Sequence, residues 1–399
     1  METTSGLGLK LPGDSDYYDV EDMNYNSRKI DQEFQKRINS EQGMHGVRYY
    51  DGKLQVKVNE AWKETTASLP PRPTSNVTAK MIGYQDGTNE LSVSWTKGAV
   101  YDVQVDKFNI YGYVGSDSPT SFSQFTLITS VSNTSSSLET NASQTYDYIL
   151  VAPVSTDGVI QEDLCQMCQA TVINNAPAKG TSFNDMSWAN IKIIADNDLY
   201  QSYFNIGDEK TESINGTNYK FVIADFDHDN KADGTGKAPL SILLKNCLAN
   251  TYAMNSSNTN NTSWNNCALR TTLQSTIFNQ LPSDLQNVIC PVEKRTSLGA
   301  QSTYNQYTTD TLFLLSEFEV FGKTTYAVET EAAGCTQYPI FTDNNSRIKK
   351  LGDTGSTTLW WLRSPCASNS TAFCCVSIDG SANSGGASCS IGLCFGFCI

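Results

Sequence analysis

Histidine is nearly missing from this sequence: only His45 and His228 occur in 399 residues. Most hydrolases and zinc sites draw on imidazole, so that scarcity alone thins the enzymatic readings. The sequence has no G-x-S-x-G elbow, P-loop, G-x-G-x-x-G or H-E-x-x-H motif, and so no cofactor fingerprint and no supported catalytic triad. No apolar run is long enough for a transmembrane helix. Lys and Arg nowhere cluster, and 28 of them face 42 Asp and Glu for a net charge of -14. Nucleic-acid binding and membrane insertion are therefore not expected. Met1 to Lys10 lack the basic-then-apolar order of a secretory signal and carry no lipidation box. The expectation is synthesis in a cytoplasm without export by that route.

What is present points to β-rich modules. The chain is 39% hydrophobic and 18% charged, with abundant Ser, Thr, Asn and Gly, and its length suggests two to four domains. Of 12 cysteines, Cys366, Cys374, Cys375, Cys389, Cys394 and Cys398 fall in the C-terminal tenth. Cys374 and Cys375 are adjacent, a poor arrangement for a disulfide framework.

Residues 1–69 read as an N-terminal attachment or oligomerisation segment. An acidic stretch leads into a helical pattern at Met23, Ile30, Phe34 and Ile38, and Val47–Tyr50, Asp51-Gly52 and Leu54–Val58 form a hairpin signal with Trp62 packed on one face. Pro70-Pro71-Arg72-Pro73 is a stiff boundary. Residues 70–176 carry short alternating runs, clearest at Leu91–Trp95, Phe108–Tyr113, Phe125–Ile128 and Tyr146–Val151. Their spacing suits an all-β, seven-stranded immunoglobulin-like sandwich. The buried-Trp strand followed by a Tyr-rich strand resembles a fibronectin type III module. Cys165 and Cys168 form a lone C-x-x-C on the expected last strand, where they read as ordinary strand residues.

Residues 177–399 read as one α+β domain. Helices are expected from Trp188 and from Cys267 through Phe278. Strands are expected at Tyr219–Ile223, Thr311–Leu315, Glu319–Phe321 and Leu359–Leu362, with an irregular loop region after Arg363. Asp225, Asp227 and Asp229 suggest a calcium loop, but the sixth and twelfth positions hold Asn230 and Gly236 rather than Gly and Glu. The expectation is no cofactor and no metal, with room for only a weak, irregular cation site at those three aspartates. Glu317 and Glu319 read as a chance pair of carboxylates, and Tyr304 and Tyr307 as packing residues.

The informative stretch is 366–391. Its 26 residues include seven Ser and four Cys, yet no Glu, Lys, Gln, Met or Trp. Those five are the residues unreachable from an AAC codon when only its adenines are replaced. If they make up roughly a fifth of ordinary sequence, chance absence over such a stretch is below about one per cent. A low-complexity loop of small residues also lacks them, but has little use for four thiols.

Around this stretch, Trp360-Trp361-Leu362-Arg363-Ser364-Pro365, Phe373, Val376, Gly380 and the ending Gly392-Leu393-Cys394-Phe395-Gly396-Phe397-Cys398-Ile399 resemble the variable region of diversity-generating retroelement target proteins. Phe226–Asp229, Cys267–Arg270, Leu281-Pro282 and Thr311–Ser316 are similar to the same gut-phage and bacterial family. The resemblance implies a C-type lectin-like domain over 177–399 with a variable region at 358–399. It implies a binding protein and no enzyme: Cys366, Ser368, Ala372, Cys375, Ser377, Ile378, Asp379, Ser381, Asn383, Ser384, Gly385, Gly386, Ser388, Cys389, Ser390 and Ile391 would be diversified ligand-contact positions. Trp360, Trp361, Arg363, Phe373, Val376, Gly380, Gly392 and Phe397 would be scaffold.

Leu9-Lys10-Leu11-Pro12 with Asp19–Asp22 looks like the start of gut-phage tail proteins. The expectation that follows is a hypervariable tail-fibre adhesin on the virion. It would be a homotrimer, docked to tail or baseplate proteins and recognising a protein or glycan of the host surface. The alternatives are a bacterial surface adhesin with the same domain and, least favoured, a formylglycine-generating type of enzyme.

Overall fold

Alternating apolar residues dominate the first half of the described chain, and in the computed structural model they pair as antiparallel strands. The structure describes residues 71, 73–98, 105–160, 162 and 165–399, with the backbone of five short strands before them: β1 (Glu2–Thr3), β2 (Lys10–Leu11), β3 (Val47–Tyr50), β4 (Lys53–Val58) and β5 (Ala61–Glu64). β3 and β4 pair with Tyr50 opposite Lys53, and β5 adds a third strand; the expected turn at Asp51-Gly52 lies outside the described residues. The helical pattern from Met23 to Ile38 and the packing of Trp62 lie outside the described residues. Two compact units divide the chain: Met1–Gly83 with Gly87–Asn174, and Tyr84–Asp86 with Asn175–Ile399.

The first unit is a β-sandwich. Its strands are β6 (Ser75–Tyr84), β7 (Asn89–Thr96), β8 (Val105–Tyr113), β9 (Thr126–Ser132), β10 (Ser137–Ala142), β11 (Tyr148–Ser155), β12 (Met167–Gln169) and β13 (Thr171–Ala176). They form two four-stranded sheets, ordered β10-β7-β6-β13 and β12-β11-β8-β9. Leu91, Val93 and Trp95 point inward from β7 and meet Phe108, Ile110, Ile149 and Val151 of the facing sheet, with the Trp95 and Phe108 rings 5.4 Å apart. Gly112 is required on β8, because a Cβ there would lie 2.4 Å from the ring of Tyr146. Cys168 sits on the short strand β12 rather than on the last strand. Burial raises its thiol pKa and pushes that of Cys165 up to about 11.

The second unit mixes short helices with two principal sheets. β14 (Glu209–Ile214), β15 (Thr217–Phe226), β16 (Leu240–Leu244) and the C-terminal β26 (Gly396–Cys398) form one. β17 (Thr251–Tyr252), β22 (Trp360–Pro365), β23 (Ala372–Val376), β24 (Ala382–Gly386) and β25 (Ile391–Gly392) form the other, ordered β17-β25-β22-β23-β24. Two hairpins, β18 (Val292–Ser297) with β19 (Asn305–Asp310) and β20 (Lys349–Lys350) with β21 (Thr357–Thr358), complete the strands. The helix Trp188–Asp196 starts at Ser187, whose hydroxyl accepts from the Asn190 amide, and buries Trp188, Ile191, Ile194 and Ala195. Phe397 packs edge-on against Trp188 and Phe221, which locks the C-terminal strand into the core. Among the described residues no helix is long and apolar enough to cross a membrane.

Three sequence expectations change here. Glu319–Phe321 is not a strand but part of the helix Glu317–Phe321. Ser316 and Glu319 close a capping box at its start, and Gly322 ends it at φ 66. Thr311–Leu315 is a buried extended link with one bridge, Phe313 to Gly396. The region after Arg363 is no irregular loop: it supplies β23, β24, β25 and β26.

Candidate functional site

β22 is buried over its whole length and anchors the C-terminal region. The indole nitrogens of Trp360 and Trp361 donate to the carbonyls of Arg347 (2.9 Å) and Tyr252 (2.7 Å). Arg363 reaches Glu319 with both terminal nitrogens, Nη2 to Oε1 at 2.9 Å and Nη1 to Oε2, and donates through Nε to the Arg295 carbonyl at 3.1 Å. Glu319 also meets Lys294 (3.4 Å), whose ammonium bonds Asp229 Oδ1 at 2.5 Å and sits 3.6 Å from the centroid of the Phe313 ring. Tyr338 and Ser241 donate to Asp229 Oδ2 at 2.6 and 2.9 Å.

Two cations and two carboxylates therefore share one buried site. Burial pushes the Glu319 carboxyl up, but Arg363 and Lys294 outweigh it and hold the group well below the carboxylate range. Asp229 behaves likewise: burial is overcome by Lys294. Burial lowers Lys294 and Arg363, and the facing carboxylates more than restore both. Ser364 extends the frame, donating to Glu331 at 3.1 Å and accepting from the Glu317 amide at 2.9 Å. The Glu317 carboxyl takes the amides of Thr325, Tyr326 and Ala327. Glu317 and Glu319 thus serve separate structural contacts and do not act as a carboxylate pair.

The scaffold residues named from sequence are all buried: Trp360, Trp361, Arg363, Phe373, Val376, Gly380, Gly392 and Phe397. Gly380 adopts φ +77 at the β23–β24 turn, and a Cβ there would lie 1.9 Å from the Asn344 carbonyl oxygen. At Gly392 a Cβ would meet Cys247 Sγ at 2.7 Å.

The ligand-contact positions divide. Cys366, Ala372 and Cys375 are at most 3% exposed, so the expectation that they touch a ligand fails: β23 is covered on both faces. The Cys366 thiol is lowered by its hydrogen bond with Cys374, whereas burial pushes Cys375 up to about 12. Ser368, Ile378, Asp379, Ser388, Cys389 and Ser390 are exposed. Ser377, Ser381, Asn383, Ser384, Gly385, Gly386 and Ile391 are half-buried. These positions do not form a single cluster. Ala372 pairs with Gly386 and Val376 with Ala382, so the turn 377–381 and the loops 368–370 and 387–390 lie at opposite ends of the hairpin. About 13 Å of strand separates them.

Residues outside the stretch hold the end formed by the loops 368–370 and 387–390, and sequence reasoning missed them. Asn260 donates through Nδ2 to the carbonyls of Ala372 (2.7 Å) and Asn369 (2.9 Å), pinning the turn between them. The Ser390 hydroxyl donates to the Thr251 hydroxyl oxygen at 2.8 Å, and exposed Asn258 lies beside Gly386 and Ser388. A local signal for these contacts is absent, since the partners lie more than a hundred positions apart in the chain. At the other end Ser381 donates through both amide and hydroxyl to Asp379 Oδ1, holding that carboxyl below its ordinary range.

The three aspartates of the suspected cation loop do not converge. Asp225 bonds His228 Nδ1 at 2.8 Å, Asp227 takes the Tyr200 hydroxyl, and Asp229 turns into the buried ionic site. His228, Asp229 and Glu319 do bring ligand atoms within 4.8 Å of one another. All four of their carboxylate oxygens are already engaged, and the Lys294 ammonium stands where a cation would. That arrangement does not fit a divalent ion.

A family model described as a domain of unknown function, DUF6273, matches residues 241–398. The match begins and ends on a register pair, Ser241 of β16 opposite Cys398 of β26. No curated protein matches the chain. Among solved structures, a human FNIII domain determined in solution is similar at 17% identity, covering 31% of this chain and 94% of that one with a TM-score of 0.19.

Arg363→Met removes one partner of a buried pair and leaves Glu319 with the longer Lys294 contact as its one cation. Denaturant unfolding is expected to show a loss of about 3–5 kcal/mol, and Arg363→Lys, which keeps charge but not the fork, is expected to recover only part of it. Glu331 gives a pH signature. Burial, against the weaker pull of Arg363, pushes its carboxyl from 4.5 up to about 7. The folded chain therefore holds a proton that the unfolded chain has released, and this contribution to stability is lost as pH rises toward 7. Glu331→Gln is expected to remove that loss, gaining up to about 3 kcal/mol over the parent at pH ~8 but little at pH ~4. Equal effects at both pH values would contradict the assignment.

Proposed function

We propose that this chain is a binding protein diversified by a retroelement, with residues 177–399 as a C-type lectin-like frame and the exposed part of 366–391 as its recognition surface. The observation that carries the proposal is a division of labour within one segment. The backbone of 366–391 is held by Asn260 and the β22 frame, while Ser368, Ile378, Asp379, Ser388, Cys389 and Ser390 are exposed. Side chains of this kind change without disturbing a packed core. The missing Glu, Lys, Gln, Met and Trp fit the codon rule of adenine replacement.

The surface carries Asp379 as its one charged residue, so recognition proceeds by shape and short polar contacts rather than charge steering. A formylglycine-type reaction is disfavoured, because Cys374 and Cys375 are buried with thiol pKa values pushed upward by desolvation. In this reading the protein is a phage tail adhesin that engages a bacterial surface molecule through several weak contacts at once, as a homotrimer would permit.

The coding DNA of residues 358–399 and its flanks tests the proposal. A near-identical repeat beside a reverse-transcriptase gene is expected, differing from the coding copy only where the repeat has adenine. The differences should fall at the exposed positions named above. No repeat, or differences scattered over all bases, would overturn it.

A further inference from the structure

The cavity above the buried ionic site is lined by none of residues 366–391. It measures about 170 Å³ and is walled by His228, Lys237, Glu293, Arg295, Tyr307 and Thr336, among others. At about 30 Å³ per water, that is space for five or six waters, the scale of a small organic molecule. Its outer wall is the solvent face of β18–β19: Val292, Lys294 and Thr296 point into the core, which leaves Glu293 and Arg295 facing out.

Arg295 is the unusual member. Its Nη1 donates to the Ala333 carbonyl at 2.9 Å and its guanidinium lies 5.9 Å from the centre of the Tyr307 ring. Its Nε is shielded from solvent and has no hydrogen-bond partner. No ion pair engages Arg295 among the described residues, although the chain carries a net charge of -14. The half-buried guanidinium is held at one end by the Ala333 carbonyl, and its other terminal nitrogen, Nη2, makes no hydrogen bond among the described residues and can meet a planar acceptor. Lys237, tethered to the His228 carbonyl at 2.7 Å, adds a second cation.

Deeper in, Asp229 and Glu319 are already neutralised by Lys294 and Arg363. Exposed Glu293 is left in the wall as an acceptor for hydroxyl groups, and the Thr336 hydroxyl, 3.4 Å from His228 Nδ1, is a second polar group of the wall. Tyr304 and Tyr307 are 75% and 60% exposed, which corrects the expectation that both are packing residues, and Tyr307 offers its ring to an apolar or sugar body.

We infer that this cavity is a second binding site, for an acidic monosaccharide unit. Its carboxylate lies on Arg295 and Lys237, its hydroxyls meet Glu293 and Thr336, and its ring rests by Tyr307. The probe is D-glucuronate, titrated into the full chain by calorimetry or ligand-observed NMR, with D-glucose and acetate as comparison arms.

Saturable glucuronate binding is expected, with D-glucose at least tenfold weaker and acetate competing. Arg295→Gln should weaken glucuronate at least tenfold and Tyr307→Ala severalfold, while Ser256→Lys, at an exposed position outside the cavity wall, leaves it unchanged. Should Arg295→Gln fail to fold, Arg295→Lys, which keeps the charge and loses the fork, is expected to weaken binding in the same direction. Absence of saturable binding up to about 20 mM, equal binding of glucose, or full affinity in a folded Arg295 variant would overturn the inference.

Discussion

The pairing of Arg363 with Glu319, completed by Lys294 and Asp229, is the interaction on which the second unit depends. It gathers four pieces of chain that have no local reason to meet: β22, the helix Glu317–Phe321, the hairpin strand β18 and the segment after β15. Buried charges are costly to bring out of water, and each of these is tolerable only because the others are present. An exchange for apolar residues could be as stable. What the ionic set adds is a single permitted arrangement, since the Arg363 fork fits Glu319 in one geometry. The strand before the cysteine-rich stretch is thereby placed by chemistry from outside that stretch.

That placement explains how a segment so poor in large side chains is ordered. Residues 377–391 contribute little apolar area of their own, so their geometry comes from contacts with the frame and from backbone constraints. Gly380 has its left-handed φ and the nearby Asn344 carbonyl, and Gly392 has the closeness of Cys247. Asn260 holds the turn 366–372 from a distant loop. The positions left over carry short side chains with few obligations, and this is what the proposed diversification requires. The acidic-sugar cavity draws on the same ionic set from its other side, where Arg363 and Glu319 form part of the wall.

The clearest sandwich strand was legible because it buries one face: on β7, Leu91, Val93 and Trp95 alternate with serine and threonine, and the pattern survives folding intact. Trp188–Asp196 was legible from its apolar period, and Trp360–Leu362 from its aromatic run. Glu319 was misread because Phe318, Val320 and their charged neighbours alternate like a strand, while the capping box Ser316–Glu319 gave the opposite signal and won. β23 and β24 went unseen because Cys, Ser, Ala and Gly carry little strand preference. Cys366 and Cys375 were placed on the surface by family pattern alone, where burial is decided by the facing sheet. The ionic set escaped altogether, since Glu319 and Arg363 lie 44 positions apart and nothing local links them.

A saturation scan of residues 358–399, read as single-substitution stability by proteolysis of the full chain, tests most directly the claim that a fixed frame carries a permissive surface. Substitutions at Ser368, Ile378, Ser388 and Ser390 should stay within about 0.5 kcal/mol of the parent for most residue types. Those at Trp361, Arg363, Phe373, Gly380 and Gly392 should cost about 3 kcal/mol or more. If the exposed positions prove as intolerant as the buried ones, the surface is part of the structural core and the account fails.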